Sequence, residues 1–120
     1  MSQTVVPMIH VPDVRGTVEW YKSLGFELVR TNEDDGEMNW AKLTFGNSDV
    51  MFSAGGKSSD APRREMDLYI ATDKVDEMFQ LLKNQVQIVE EPHGTFYGMR
   101  EFILRDCNGF WITFGEFAKT

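Results

Sequence analysis

Residues 97–116 have the sequence YGMREFILRDCNGFWITFGE, in which two apolar stretches flank a polar turn. Asn108-Gly109 is a favoured turn pair, and the aromatic and β-branched residues on both sides of it favour strands. The segment therefore predicts a β-hairpin with strands at 97–104 and 110–114 and a turn at 106–109. In a strand, successive side chains point to opposite faces. The last strand is thus predicted to place Phe110, Ile112 and Phe114 on one face and Trp111 and Thr113 on the other.

The rest of the chain alternates between short strands and amphipathic helices. A helix is predicted after its N-cap Asp13, with Val14, Val18, Tyr21 and Leu24 on one face, and it ends at Gly25. A second helix is predicted to begin at Asp73. Six further strands are predicted at 5–11, 26–29, 38–45, 50–53, 66–71 and 86–89, and segment 91–96 is predicted to be a loop. The order predicts an α+β fold of two tandem βαβββ modules.

The two modules also align with each other in sequence. An offset of 60 positions, without gaps, pairs Asp13 with Asp73, Val18 with Met78, Tyr21 with Leu81, Phe26 with Val86, Val29 with Val89, Leu43 with Ile103 and Phe52 with Ile112. Chance matching of apolar positions is the alternative, but the gap-free register favours an internal repeat. We predict a single domain over residues 1–120, with one module at 1–53, an exposed irregular linker at 54–64 and a second module at 65–120.

Composition excludes several classes of function. The net charge of −7 disfavours binding to nucleic acid, since affinity for phosphates depends on Lys and Arg. No apolar run approaches the roughly 20 residues of a membrane span, and the first residues do not resemble a signal peptide. We therefore expect a cytoplasmic protein without nucleic-acid or membrane partners. The single cysteine, Cys107, cannot form an internal disulfide and is interpreted as a small core or turn residue.

Two segments resemble a known family. The two signatures of the vicinal oxygen chelate superfamily are similar to residues 11–29 (VPDVRGTVEWYKSLGFELV) and 97–116 (YGMREFILRDCNGFWITFGE). This superfamily includes glyoxalases, bleomycin-resistance proteins, fosfomycin-resistance enzymes and extradiol dioxygenases. The second segment is close to the pattern YGxRxFxxxDPDGNxxxF of members similar to bleomycin-resistance proteins, with Cys107 in place of the proline and Asn108 in place of the second aspartate. The resemblance implies sheets that curve into a cup around a pocket, and a homodimer.

In the metal-dependent branches of this superfamily, His, Gln or Glu side chains from the first and last strand of each module hold one divalent ion. The resemblance, with the offset of 60, places these positions at Val6, Ser53, Met66 and Thr113. None of them is a usual ligand for such an ion. A shift of one residue would bring Asp67 to one position, but one carboxylate does not make a site. We therefore predict no metal cofactor.

Strand alternation identifies the side chains that would line the pocket. If Val6 and Thr113 face it, so do Met8, His10, Met51, Ser53, Glu101 and Trp111, while Ile9, Val11, Val50, Phe52, Ile112 and Phe114 pack on the helices. Methionine and tryptophan beside a few polar groups are typical of a site for an aromatic or amphipathic small molecule. The same residues also fill ordinary cores, so a purely structural role is an equal alternative. A lone histidine such as His10 is interpreted as hydrogen-bonded rather than metal-binding, and His93 as solvent-exposed.

The sequence therefore predicts a metal-free protein that sequesters a small molecule, similar to the bleomycin-resistance branch and without assigned catalytic residues. The alternative is an enzyme of the glyoxalase or dioxygenase kind, either with His10 or Glu101 as a general base or with metal ligands at other positions. A third possibility is an accessory binding subunit.

Overall fold

The computed structural model describes residues 3–118 and divides into two compact units, Met1–Ser58 and Ser59–Thr120. The first unit contains β1 (Met8–His10), α1 (Val14–Leu24), β2 (Glu27–Asp34), β3 (Glu37–Phe45) and β4 (Ser48–Ser53). The second contains β5 (Asp67–Ala71), α2 (Val75–Leu82), β6 (Gln87–Gly94), β7 (Met99–Arg105) and β8 (Trp111–Phe117). Both units have the order βαβββ, so the predicted α+β class and the element order are confirmed.

Each unit forms one mixed, four-stranded sheet. The strand order is β1-β4-β3-β2 in the first unit and β5-β8-β7-β6 in the second. The first and last strands of a unit are parallel neighbours, and the other pairs are antiparallel. The connection between the parallel strands contains the helix, which packs on one face of the sheet and leaves the other face without a helix.

Helix α1 begins and ends as its sequence predicts. The Asp13 side chain accepts a hydrogen bond from the Gly16 amide at 3.0 Å, which satisfies one of the unpaired donors of the first turn. Gly25 closes the helix with a φ of 116°, a conformation that favours glycine. The predicted apolar face of Val14, Val18, Tyr21 and Leu24 is buried.

Helix α2 begins two residues later than predicted, because Asp73 does not cap it. The N-cap residue is Lys74, whose side chain makes no capping hydrogen bond. Instead the Glu116 carboxylate, on β8, accepts a hydrogen bond from the Val75 amide at 3.0 Å. A carboxylate at a helix N-terminus also interacts favourably with the helix dipole. Glu116 therefore attaches the start of α2 to the last strand.

Aromatic rings form the centre of each core. In the second unit, Phe102 and Phe114 stack with centroids 5.0 Å apart, and Phe79 of α2 meets Phe102 edge-on at 5.5 Å. In the first unit, Tyr21 contacts Phe52 at a centroid distance of 4.7 Å. The predicted helix-facing residues are all buried: Ile9, Val11, Val50, Phe52, Ile112 and Phe114. The predicted assignment of strand faces is thus confirmed.

Several strand boundaries differ from the predicted ones. Strand β6 continues to Gly94, so the predicted loop at 91–96 is wrong and His93 belongs to a strand. Pro92 is tolerated there because β6 is an edge strand, where a missing amide hydrogen breaks no ladder bond. Strand β7 begins only at Met99, strands β2 and β8 extend to Asp34 and Phe117, and β1 is limited to Met8–His10.

The repeat is present, but the predicted offset of 60 positions holds only for β2 and β6, where Leu28 corresponds to Ile88 and Val29 to Val89. Val75 begins its helix 61 positions after Val14, and Phe102 occupies the place of Ala41, also 61 positions earlier. Five predicted pairs are therefore wrong: Asp13 with Asp73, Val18 with Met78, Tyr21 with Leu81, Leu43 with Ile103 and Phe52 with Ile112. Leu81 is 65% exposed, whereas the next residue, Leu82, is buried. After the final turn the offset becomes 62, so that Phe114 matches Phe52.

The stacked Phe102–Phe114 pair predicts a large mutational effect. Phe114→Ala should lower the free energy of unfolding by about 3–5 kcal/mol, since it leaves a cavity in a core with no solvent access. Phe117→Ala, on the same strand but 83% exposed, is the matched control and should change it by less than about 1 kcal/mol. Urea denaturation of both variants measures this. Equal losses would mean that the stack is not the core of this unit.

Candidate functional site

The candidate site residues lie on two sheet faces, one in each unit, that the unit's own helix does not cover, and we call these the open faces. Residues paired across neighbouring strands point to the same side of a sheet. In the first unit this places Met8, His10, Trp40, Lys42, Met51 and Ser53 on the open face. In the second unit it places Asp67, Tyr69, Glu101, Trp111, Thr113 and Gly115 there. All seven side chains predicted to bind the ligand therefore lie on an open face, four in the first unit and three in the second.

The open face of the first unit is rich in sulfur and aromatic side chains. Met8 is 52% exposed and pairs with Met51, and His10 pairs with Ser53. Trp40 also pairs with Ser53, which adds an indole that was not predicted to belong to the site. The alternation of β3 was the available signal, because the neighbouring Ala41 is fully buried on the helix side. His10 is exposed, and its Nδ1 lies 3.2 Å from the Ala54 carbonyl oxygen.

The open face of the second unit contains a buried carboxylate held by two tyrosines. Glu101 is only 4% exposed. Its Oε2 accepts a hydrogen bond from the Tyr69 hydroxyl at 2.7 Å, and its Oε1 accepts one from the Tyr97 hydroxyl, also at 2.7 Å. Bonds of this length to a charged acceptor are strong, and they satisfy a group that is costly to bury alone. We call these three side chains the tyrosine–glutamate cluster.

Gly115 makes the cluster possible. Tyr69 pairs with Thr113, whereas Glu101 pairs with Gly115, so Tyr69 must reach diagonally across β8. A Cβ atom at position 115 would lie 1.9 Å from the Tyr69 hydroxyl oxygen. Any side chain there would displace the phenol. The glycine therefore provides the space through which Tyr69 reaches the carboxylate.

The cluster changes the acidity of both phenols. Burial, with the hydrogen bond to Glu101, raises the pKa of Tyr69 well above its ordinary value. The hydrogen bond to Glu101 is the main cause of a raised pKa for Tyr97. Both changes favour the neutral phenol, since a phenolate could not donate to a carboxylate. At neutral pH each hydroxyl is consequently a hydrogen-bond donor to Glu101.

Trp111 lies on the open face as predicted, but part of the linker covers it. The Arg63 guanidinium carbon is 4.3 Å from the ring centroid, and the indole Nε1 donates to the Pro62 carbonyl at 3.3 Å. Arg105 donates to the same carbonyl oxygen. A cation over an indole face is a favourable arrangement. One face of Trp111 is thus already in contact with the protein's own Arg63.

Most of the linker is exposed as predicted, but its last residue, Arg64, is packed against the second unit. The Arg64 side chain is only 9% exposed, with its guanidinium carbon 4.4 Å from the Phe110 ring centroid. Its Nη1 donates to the Asn108 carbonyl oxygen at 3.1 Å. Long basic side chains pack their stems against apolar groups in this way. The end of the linker is therefore anchored to the turn between β7 and β8.

Most residues of the 97–116 signature have structural contacts. Arg100 forms a two-bond ion pair with Asp76 of α2, at 2.9 and 2.8 Å, and the hydrogen bond from Arg100 holds the pKa of Asp76 below its usual value. Asp106 accepts hydrogen bonds from the amides of Asn108 and Phe110, both at 2.8 Å, and so closes the turn. Cys107 is exposed in that turn.

The side chains at the implied metal positions do not fit a metal centre. With the corrected offsets the four positions are Val6, Met51, Asp67 and Thr113, in place of Ser53 and Met66. Asp67 is the only carboxylate among these four, and it accepts a hydrogen bond from Arg63. Within residues 3–118 no group of three or more His, Cys, Asp or Glu side chains could hold a metal ion. The absence of a metal cofactor stays a prediction.

One surface depression lies away from the open faces. It has a volume of about 530 Å³ on the outer side of α2, where Asp76, Glu77, Gln80 and Leu81 line it. None of the predicted ligand-binding residues lines this depression.

Neither α1 nor α2, the helices found in the described part of the chain, is long and apolar enough to cross a membrane.

Comparison with known proteins agrees with this architecture. The sequence profile of the Glyoxalase/Bleomycin resistance protein/Dioxygenase superfamily matches residues 4–114. The chain belongs to this superfamily. No curated protein sequence matches the chain significantly. The family assignment confirms the resemblance of the two signatures.

Solved structures of this superfamily's fold superpose on nearly the whole chain. TioX from Micromonospora sp. ML1 is 20% identical with a TM-score of 0.76, covering 96% of this chain and 99% of its own. A bleomycin-binding protein in complex with bleomycin is 18% identical with a TM-score of 0.75, covering 96% of this chain and 98% of its own. A glyoxalase/bleomycin resistance protein/dioxygenase from Nocardioides is 12% identical with a TM-score of 0.77, covering 99% and 86%. At these identities the similarity shows the fold alone.

The raised tyrosine pKa values predict a specific response to alkaline pH. A group whose pKa is higher in the folded state contributes stability below its unfolded pKa, about 10 for tyrosine, and loses it as pH rises further. The free energy of unfolding should therefore begin to fall near pH 10 and continue to fall as the pH rises above it, and Tyr69→Phe should show a smaller fall over that range. Urea denaturation across this range measures both. An identical pH dependence in the variant would contradict the hydrogen bond to Glu101.

Proposed function

We propose that this protein binds an aromatic or amphipathic small molecule on its open sheet faces and sequesters it without a metal ion. The observation that carries this proposal is the set of large, exposed side chains on faces that no helix covers. Met8 and Tyr69 are each 52% exposed, although folding normally buries side chains of this size. Within the first unit Met8 also lies beside Met51, and neighbouring apolar side chains on an uncovered face are typical of binding surfaces.

The chemistry of the open faces supports the same class of ligand. Methionine is flexible and polarisable, so that Met8 and Met51 can adapt to an irregular apolar surface. The indoles of Trp40 and Trp111 offer planar surfaces on which an aromatic ring can stack. A few polar groups, such as His10 and Ser53, can orient the ligand. The fold similarity to a bleomycin-binding protein in complex with bleomycin is consistent with sequestration as the mode of action.

The enzymatic alternative depends mainly on His10. Glu101 is poorly placed as a general base because it is buried and each of its oxygens already accepts a phenol hydrogen bond. His10 is different. The Ala54 carbonyl can only accept, so a neutral His10 donates through Nδ1 and keeps Nε2 as an acceptor on the exposed side chain. A substrate proton could be taken there, which makes an enzyme with His10 as base the second candidate.

The proposal predicts ligand binding that does not need metal. A thermal-shift panel of aromatic and amphipathic compounds should give stabilising compounds whose effect is unchanged by EDTA, and elemental analysis should find less than about a tenth of an equivalent of divalent metal.

Trp111→Ala should lower the affinity for a compound that binds at Trp111 by about tenfold, because the substitution removes the stacking surface. Leu81→Ala, at an exposed position on α2, is the matched control and should have no effect.

Three outcomes would contradict this account. Stoichiometric metal, or binding abolished by EDTA, would place the protein among the metal-dependent members. A compound panel without any stabilising member would contradict small-molecule binding. Chemical conversion of a bound compound, measured by mass spectrometry, would show that the protein is an enzyme and does not merely sequester its ligand. Loss of this conversion in His10→Gln would identify His10 as the base.

We also propose a homodimer. Each sheet ends in edge strands, β1 and β2 in the first unit and β5 and β6 in the second, and proteins commonly protect such edges by association. Light scattering at micromolar concentration should give about twice the 13.8 kDa chain mass. A monomer at that concentration would contradict the proposal. The cytoplasmic location remains a prediction from the sequence, and a role in antibiotic resistance remains an expectation from the resemblance to bleomycin-resistance proteins.

A further inference from the structure

We propose that Tyr69, Tyr97 and Glu101 form a recognition site for a cationic N–H donor, such as an ammonium, amidinium or guanidinium group on the bound molecule. This proposal deepens the binding function proposed above and rests on it. The site requires a ligand group that is positively charged and that donates hydrogen bonds. The apolar side chains of the open faces impose neither requirement.

The positions of the hydroxyl protons determine the polarity of the site. A phenol has one proton to donate and oxygen lone pairs to accept with. Both phenol protons of the cluster are directed to Glu101, one to Oε2 and one to Oε1. A ligand that approaches the two hydroxyl oxygens therefore finds acceptors only. It must supply the donors itself, because a second acceptor would find no proton to share.

The charge of the cluster favours a cation. Glu101 is 4% exposed, and within residues 3–118 none of the ion pairs of lysine, arginine or histidine involves it. The phenols solvate this carboxylate but do not neutralise it. A hydrogen bond that donates toward an anion also makes the donor's oxygen a better acceptor. The overall charge of −7 adds a long-range attraction for cations.

The cluster is accessible in spite of its buried centre. Tyr69 and Tyr97 are 52% and 55% exposed, so about half of each residue reaches solvent, whereas Glu101 is only 4% exposed. Phe96 lies edge-on to Tyr97 at a centroid distance of 4.9 Å and is 99% exposed. Aromatic faces attract cations through their quadrupole. A cation bound to the phenol oxygens would thus have aromatic surface beside it.

A purely structural role for the cluster makes a different prediction. The two hydrogen bonds connect Tyr69 on β5 and Tyr97, which precedes β7, to a carboxylate on β7 itself. If this connection were the only role, the cluster would not discriminate between ligands by charge. Discrimination between probes of one shape and different charge is therefore the property to measure.

The probes are benzamidinium, benzamide and benzoate, which share a ring and differ in charge and donors. We would titrate each probe into the full chain and monitor binding by NMR chemical shifts. Benzamidinium should bind at least about tenfold more tightly than benzamide, and benzoate should bind most weakly. Tyr69→Phe and Tyr97→Phe each remove one acceptor and should each reduce this preference for benzamidinium by severalfold. Circular dichroism confirms that the variants are folded.

A glycine pair provides the matched control. Gly115→Ala keeps both tyrosines but displaces the Tyr69 hydroxyl, and it should reduce the preference as Tyr69→Phe does. Gly94→Ala lies in β6 of the same sheet, where an added Cβ meets nothing within 4 Å, and should leave the preference unchanged. Since Gly115→Ala does not remove either hydrogen-bonding group, it tests the site even if Tyr69→Phe does not fold.

The outcomes separate this inference from the function on which it rests. A preference for benzamidinium that is lost in Gly115→Ala and kept in Gly94→Ala supports the cation site. Equal binding of benzamidinium and benzamide to the unmodified protein overturns the site but leaves small-molecule binding in place. A preference that persists in both tyrosine variants and in Gly115→Ala also overturns it. Binding by neither probe overturns the cation site, whereas the proposed function fails only if the wider aromatic panel also gives no binding.

Discussion

The stacked rings of Phe102 and Phe114 determine which side of the second sheet faces its helix. They lie on adjacent antiparallel strands, with centroids 5.0 Å apart and no solvent access, and Phe79 of α2 packs against Phe102. Because side chains alternate along a strand, burying these two rings leaves Glu101 and Trp111 on the other side. The first unit follows the same rule around Phe52. The open faces are thus a consequence of the core.

On the second open face, one glycine decides the local chemistry. Gly115 lies between Tyr69 and Glu101 in the sheet, and its missing side chain lets the phenol pass above β8. The Glu101 carboxylate can be buried only because two phenols donate to it. The 97–116 signature therefore contains two kinds of residue. Arg100 and Asp106 maintain the helix contact and the turn, whereas Glu101 with Tyr97 contributes the polar centre of the candidate site.

The sequence predicted the features that depend on periodicity. The order of elements, the helix caps at Asp13 and Gly25, and the strand faces all follow from local patterns and agree with the structure. The repeat offset was wrong for the helices because Leu81 and Leu82 are equally apolar, and only packing shows which of them is buried. The wrong offsets also moved two of the implied metal positions, by two residues from Met51 to Ser53 and by one residue from Asp67 to Met66.

Features that depend on strand pairing could not be predicted in this way. Tyr69 reaches Glu101 only because β8 lies between β5 and β7, and a diagonal contact across a glycine has no local signature. The contact of Arg63 with Trp111 likewise joins an irregular segment to the last strand. Segment 91–96 was predicted to be a loop, although the edge strand β6 continues through Pro92 to Gly94. These misses share one cause, since each depends on a neighbour distant in sequence.

The central claim is that a chain of this superfamily binds its ligand on the helix-free faces of its sheets. A crystal structure of the protein with the most stabilising compound of an aromatic panel tests this most directly. The account predicts electron density for the compound against the open-face side chains, such as Met8 and Met51 or Tyr69 and Trp111. Density in the depression beside Leu81 on α2, with both open faces free of the compound, would contradict it.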